Sequence, residues 1–203
     1  ELSNVSFKYL GSEINIFDNL NLTINRNKHT VITGPNGSGK STFLGICSGV
    51  FYPDTGTVET FSENFGYVGV TPLIFSDTLK NNLIYANKHD VTDEEILKLV
   101  KLFELFNESN EIDLNMEVNN KSLSSGQMQK ISFIRALLSK VDILILDESM
   151  SNLDIKTKEL IYRILSGLDL TIINSTHSIE NLEFDAHLEI KIEKDKRKVT
   201  LHN

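Results

Sequence analysis

Eight consecutive residues, Gly34-Pro35-Asn36-Gly37-Ser38-Gly39-Lys40-Ser41, carry the most specific chemistry in the chain. They satisfy G-x-x-x-x-G-K-[ST], the pattern of a loop that cradles phosphate. Gly34, Gly37 and Gly39 open backbone conformations that residues with a Cβ avoid, so successive amide N–H groups can turn toward one anion. A helix starting near Gly39 adds the positive end of its dipole. Lys40 supplies a full charge for the β- and γ-phosphates, and the Ser41 hydroxyl suits one position on Mg²⁺.

A second set of residues completes the chemistry. Asp147 closes an apolar run and suits the task of organising Mg²⁺. Glu148 follows it and is placed to take a proton from water, help that contributes typically ~10²–10⁴-fold. His177 can hydrogen-bond a terminal phosphate or orient the attacking water. His29, His89, His187 and His202 have no such setting, and the sequence shows no Cys/His cluster with zinc spacing.

The elements that must position these residues are legible from periodicity. Residues 29–33, with Val31 and Ile32 at their centre, precede the loop as a buried strand; residues 42–47 follow it as a helix. Before them, Val5-Ser6-Phe7-Lys8-Tyr9 and Leu20-Asn21-Leu22-Thr23-Ile24 alternate as half-buried strands do. Pro53-Asp54-Thr55-Gly56 marks a turn, and residues 57–61 and 65–68 read as two more strands. The period then changes toward 3.6. Residues 77–85 read as a short helix. Thr92 and Glu95 form a capping box that opens a helix with Ile96, Leu99, Val100 and Phe103 on one face. Residues 107–120 are polar and irregular. Ser124 and Gln127 form a second capping box, and Met128, Ile131, Ile134 and Leu138 give its helix an apolar stripe suited to core packing. Residues 141–146, apolar but for Asp142, read as a strand buried on both faces of a parallel sheet. A helix over about 154–166, a strand over 170–174 and a closing hairpin at 188–192 and 199–201 complete the chain. Strands alternating with helices imply an α/β core with a parallel sheet. Gly34, Asp147 and His177 all follow strands, so one site at the carboxyl ends can contain them.

Composition narrows the classes. The 203 residues are 40% hydrophobic and 24% charged, enough for a sizeable core. A net charge of −8 disfavours sequence-independent nucleic-acid binding, which needs a basic face. The Lys- and Arg-rich cluster at 191–198 is interrupted by Glu193 and Asp195 and reads as a solvated hairpin. A single cysteine, Cys47, excludes an internal disulfide framework and fits a reducing compartment. No apolar run approaches the ~20 residues of a membrane-spanning helix, and no signal peptide is visible. The chain starts with Glu1 in strand-like sequence, as a piece of a longer protein would.

In its motif order the whole chain resembles the nucleotide-binding domain of an ATP-binding-cassette (ABC) transporter. Leu123-Ser124-Ser125-Gly126-Gln127 is similar to the family's L-S-G-G-Q signature, and Ser151-Asn152-Leu153-Asp154 resembles its D-loop. Tyr9 stands where the family places an aromatic against adenine, and Arg135-Ala136 on the signature helix also fits. The resemblance implies a P-loop NTPase (RecA-like) core with an antiparallel β subdomain and an inserted helical signature subdomain. Residues 1–74 and 141–203 would form the core, and about 75–140 the helical part. It implies ATP and Mg²⁺ as ligands. The nucleotide would be bound by Tyr9, Gly34, Pro35, Asn36, Gly37, Ser38, Gly39, Lys40, Ser41, Thr42, Ser124, Gly126, Gln127 and Asp154. The metal would be held by Ser41 and Asp147, with Glu148, His177 and Lys40 catalytic.

The resemblance further implies a head-to-tail dimer around two ATP molecules, with the phosphate loop of one copy facing Ser124, Gly126 and Gln127 of the other. A transmembrane domain, fused ahead of this one in exporters, would be its partner at the cytoplasmic face of a membrane. Residues 71–79, Thr-Pro-Leu-Ile-Phe-Ser-Asp-Thr-Leu, resemble the exporter version. Three departures stand out. Val70 takes the place of a metal-binding glutamine, Ser125 replaces the first signature glycine, and residues 118–121 lack the exporter's acid. An ATP-gated regulatory module and a soluble ABC protein with weak hydrolysis are the competing readings.

Overall fold

The fold was obtained as a computed structural model, which describes residues 1–106, 112–177, 179, 182–193 and 196–202. In chain order the elements are β1 (Leu2–Phe7), β2 (Phe17–Leu22), β3 (His29–Thr33), α1 (Lys40–Cys47), β4 (Thr55–Val58), β5 (Phe65–Val68), β6 (Asp77–Thr78), α2 (Leu79–Ile84), α3 (Asp93–Leu102), β7 (Glu117–Val118), α4 (Ser125–Leu138), β8 (Ile143–Asp147), α5 (Ile155–Ser166), β9 (Thr171–Ser175), β10 (Ala186–Glu193) and β11 (Lys196–His202). They belong to two compact units. The first is Glu1–Phe65, Asp142–Glu148 and Leu170–Asn203; the second is Gly66–Val141 and Ser149–Asp169.

The first unit holds two sheets. One is antiparallel, in the order β2-β1-β4; the other runs β11-β10-β3-β9-β8. β10, β3, β9 and β8 are parallel neighbours, whereas β10 and β11 form an antiparallel hairpin. The parallel strands need apolar residues on both faces, and β8 and β9 supply them: Ile143, Leu144, Ile145, Leu146, Ile172 and Ile173 are all at most 4% exposed. Helix α1 covers this sheet with Phe43, Leu44 and Ile46, which join Val5, Phe17, Ile145 and Leu188 in one core. Asp185 fixes the entry to β10. It accepts from the Lys28 ammonium and the His29 N–H, both at 2.8 Å, and its carboxyl is held below the ordinary range chiefly by Lys28.

The second unit is mainly helical, and its helices begin where the sequence places caps. Thr92 accepts from the Glu95 N–H while Glu95 accepts from the Thr92 N–H. Ser124 and Gln127 do the same for α4. Asp154 caps α5 by accepting from the Thr157 N–H at 2.9 Å. Phe103 stacks on Phe133 with centroids 6.3 Å apart. Fully buried Asn82 ties residues 75–78 to α2 through bonds with Phe75 and Thr78.

Several boundaries differ from the periodicity. The expected helix over 77–85 begins as the two-residue strand β6, paired with β7, and becomes helical at Leu79. That pairing also gives part of the stretch read as irregular a strand; its residues 107–111 lie outside the described residues. The strand expected at 57–61 is β4, which starts at Thr55 because Thr55 pairs with Ser6 and Val58 with Leu2. The closing hairpin is longer than expected at both strands, and residues 194 and 195 lie outside the described set.

Candidate nucleotide site

The phosphate loop lies between β3 and α1, both in the first unit. Gly34 is required by space: a Cβ there would stand 2.4 Å from the Ile190 carbonyl oxygen on the neighbouring β10. Gly39 is required by conformation, since it caps α1 at φ +101°, in the left-handed region. A glycine cap brings no side-chain oxygen, and the first turn of α1 carries no acidic residue. Its amides therefore suit an outside anion. Ser38 supports the same conclusion. Its hydroxyl is fully buried and has no hydrogen-bond partner among the described residues, a costly arrangement unless a polar ligand meets it.

Lys40 is 5% exposed, and its ammonium donates to the Gly34 and Pro35 carbonyls at 3.0 and 3.4 Å. It also lies 3.4 Å from Glu148 Oε1. The same Glu148 oxygen is 3.0 Å from His177 Nε2. One carboxylate oxygen thus joins the phosphate-loop lysine to the histidine beyond β9. Glu148 itself adopts φ +50°, a left-handed backbone that non-glycine residues rarely take. Its N–H donates toward both the backbone oxygen and the hydroxyl of Ser175, each at 3.1 Å. Asp147 Oδ1 accepts from the Ser175 hydroxyl at 2.7 Å.

Tyr9 is 44% exposed, and its hydroxyl shares a 2.7 Å hydrogen bond with Thr42 Oγ1 on α1. Phe7 and Phe51 meet the Tyr9 ring edge-on, at 5.2 and 5.8 Å. The ring is thus oriented beside the loop with surface left to stack.

The first unit therefore gathers Tyr9, residues 34–42, Asp147, Glu148 and His177. Ser124, Gly126, Gln127 and Asp154 belong to the second unit. There, Gln127 uses both ends of its amide: Oε1 accepts from the Ser124 N–H at 2.9 Å, and Nε2 donates to the Leu105 carbonyl at 3.3 Å. Asp154 is occupied by Thr157, whose amide is the main cause of its lowered pKa. Val70 is 42% exposed. Ser175 is the residue that the sequence did not disclose. The signal available for it was its place two residues before His177 on a buried strand.

Among the described residues, no three His, Cys, Asp or Glu side chains are grouped to hold a metal unaided. Mg²⁺ does not need such a cage, since it keeps waters and takes ligands from phosphates. Exposed Ser41 and partly buried Asp147 offer the hard oxygen donors it prefers, so the residues present fit Mg²⁺ arriving with a nucleotide.

Comparison with known proteins identifies the family and the fold. Residues 17–151 match the family model described as ABC transporter. The chain is 34% identical over 198 residues to the lactococcin-A transport/processing ATP-binding protein of Lactococcus lactis, covering 90% of this chain and 28% of that protein. It is 32% identical over 200 residues to the ATP-dependent lipid A-core flippase of Vibrio parahaemolyticus, covering 90% and 34%. It thus spans about a third of the length of these curated relatives. Its fold superimposes on a bacterial Atm1-family ABC exporter solved with ATP bound, with a TM-score of 0.82 at 22% identity, covering 97% of this chain and 37% of that one. The P-loop NTPase fold, with its parallel and antiparallel sheets, is shared. The chain belongs to the ABC transporter family, as its ATPase domain.

Proposed function

We propose that this domain binds ATP with Mg²⁺, hydrolyses it, and uses the cycle to drive export through a transmembrane domain. The observation that carries the reading is the Glu148 carboxylate, held between Lys40 and His177 at the phosphate loop. Residues 34–42 wrap the phosphates with their backbone N–H groups, which all of them but Pro35 carry. Lys40 exchanges its carbonyl partners for phosphate oxygens. Glu148 Oε1 takes the proton from the attacking water, and His177 Nε2 holds that carboxylate in direction. A Mg²⁺ ion held by Ser41 and Asp147 would offset charge on the phosphates. Tyr9 would stack on the adenine ring.

Two copies would pair head to tail, each donating the start of α4 to the other's γ-phosphate. Gly126 supports this. A Cβ there would meet only Ser124 Oγ, at 4.0 Å, among the described residues, so the chain's own packing does not demand a glycine. Glycine inside a helix costs roughly 0.5–1 kcal/mol relative to alanine. A close approach from outside the chain accounts for keeping it. Ser124 and the first amides of α4 would then face the phosphate, while Gln127 fixes the turn that presents them. Asp154 would lie at the same interface. ATP closes the pair; hydrolysis and phosphate loss reopen it, a ligand-biased two-state switch.

The relatives are about three times longer than this chain and are named for transport and flipping. On that basis the partner is a transmembrane domain, N-terminal in the same protein, and the site lies at the cytoplasmic face of a membrane. Among the described residues no helix is long and apolar enough to cross a membrane. The division into a catalytic core and a helical signature subdomain, with boundaries near 74/75 and 140/141, belongs to the same proposal.

Single-turnover hydrolysis tests the reading. The protein should release phosphate from ATP. Glu148→Gln should slow that release by at least ~10²-fold while ATP still induces dimers. Normal hydrolysis by Glu148→Gln would remove the general-base assignment. Val70, whose side chain cannot ligate a metal, favours a second reading, an ATP-gated module that does not turn over. No phosphate release from the unaltered protein would select it.

A further inference from the structure

We propose that Ser175 is a positioning residue that sets both acids of the hydrolytic site through one hydroxyl. The inference rests on the assignment of Asp147 to the metal and of Glu148 to the water. Ser175 ends β9 and stands opposite Asp147 in the parallel register with β8. It is fully buried. Its hydroxyl donates to Asp147 Oδ1 at 2.7 Å and lies 3.1 Å from the Glu148 nitrogen. A hydroxyl carries one proton and two lone pairs. Giving the proton to Asp147 and a lone pair to the Glu148 N–H, which also donates to the Ser175 carbonyl oxygen at 3.1 Å, uses both functions in one geometry.

The arrangement answers two local needs. A left-handed backbone at a non-glycine residue persists only where its surroundings over-determine it. Glu148, at φ +50°, is held at both ends: its amide by Ser175, and its carboxylate by Lys40 and His177. A carboxylate that is to bind a metal also needs one oxygen fixed, so that the other points outward; outer partners of this kind orient metal ligands. Packing alone does not call for a hydroxyl here. Ile172 and Ile173 on the same strand are buried apolar residues, and an alanine or valine would fill this position without leaving a polar atom to satisfy.

The test compares Ser175→Ala and Ser175→Thr with Glu148→Gln in the full-length protein. Ser175→Ala should lower kcat about 10–100-fold with KM for ATP changed by less than about threefold, because Lys40 and the phosphate loop are untouched. Mn²⁺ binding in the presence of a non-hydrolysable ATP analogue, read by electron paramagnetic resonance, should weaken about tenfold in the same variant. Ser175→Thr keeps the hydroxyl and should restore most of both. The proposal falls if Ser175→Ala retains the original kcat and Mn²⁺ affinity. It also falls if kcat and ATP affinity drop together, or if Ser175→Thr is as impaired as Ser175→Ala. The metal readout does not depend on Glu148. If Glu148→Gln hydrolyses normally, the base assignment fails while the Mn²⁺ affinity still decides the role of Ser175.

Discussion

The two units treat their polar side chains in opposite ways. In the first, functional groups face one another across different elements: Lys40 from α1, Glu148 after β8, His177 after β9. Their geometry is bought with unusual backbone, a left-handed Glu148 and a Gly34 that no larger residue fits. In the second, Thr92, Ser124, Gln127 and Asp154 spend their side chains closing the ends of their own helices. Under the proposed function, the first unit would supply the phosphate loop and the water-activating acid, and the second would offer a helix start to the other copy. The lesson is that a signature motif can act through the backbone it shapes.

Three substitutions would break or sharpen this contrast. The largest effect is expected from Gly34→Ala. A Cβ at 2.4 Å from the Ile190 carbonyl forces backbone movement, and overpacking of this kind costs about 1–3 kcal/mol. ATP binding, followed by titration with a fluorescent analogue, should weaken by about 10–100-fold, with the α3 and α4 amides equally protected from hydrogen exchange. Equal binding would show that the loop has room the structure does not display. Next is Ser124→Ala, which removes the cap of α4 and should cost about 1 kcal/mol in denaturant unfolding. ATP binding to the isolated copy should stay unchanged, while ATP-induced dimerisation weakens. If monomeric binding were lost as well, the separation between the units would not hold. The smallest effect is expected from Val70→Gln, which adds an oxygen donor and should raise turnover by about a few-fold with a sharper Mg²⁺ dependence. An unchanged rate and Mg²⁺ dependence would show that this position is silent.

Local signals in the sequence were reliable where the cause is local. Both capping boxes formed with both of their bonds, because each needs only four consecutive residues. The buried strand before Asp147 was legible because four apolar residues in a row have few alternatives in a parallel sheet. The start of β4, the β6–β7 pairing and the length of the hairpin were not legible, because partner strands set them at a distance. Within the site, the phosphate loop was read from its own eight residues. Ser175 was hidden because its bonds reach Asp147 and Glu148, 28 and 27 residues away, across a strand register that periodicity does not encode. Gln127 was expected as a phosphate contact; its committed amide follows from the same capping box that was visible in the sequence.

The left-handed backbone at Glu148 has a consequence for how this domain can change over generations. Glycine would relieve that conformation at once, and aspartate or asparagine would tolerate it better than most side chains. Position 148 is therefore one where random substitution can make the fold firmer while removing the group placed to activate water. Selection for stability alone would drift toward a domain that binds nucleotide without consuming it. If Glu148 is the general base proposed above, its φ of +50° is strain that turnover, and not binding alone, would require.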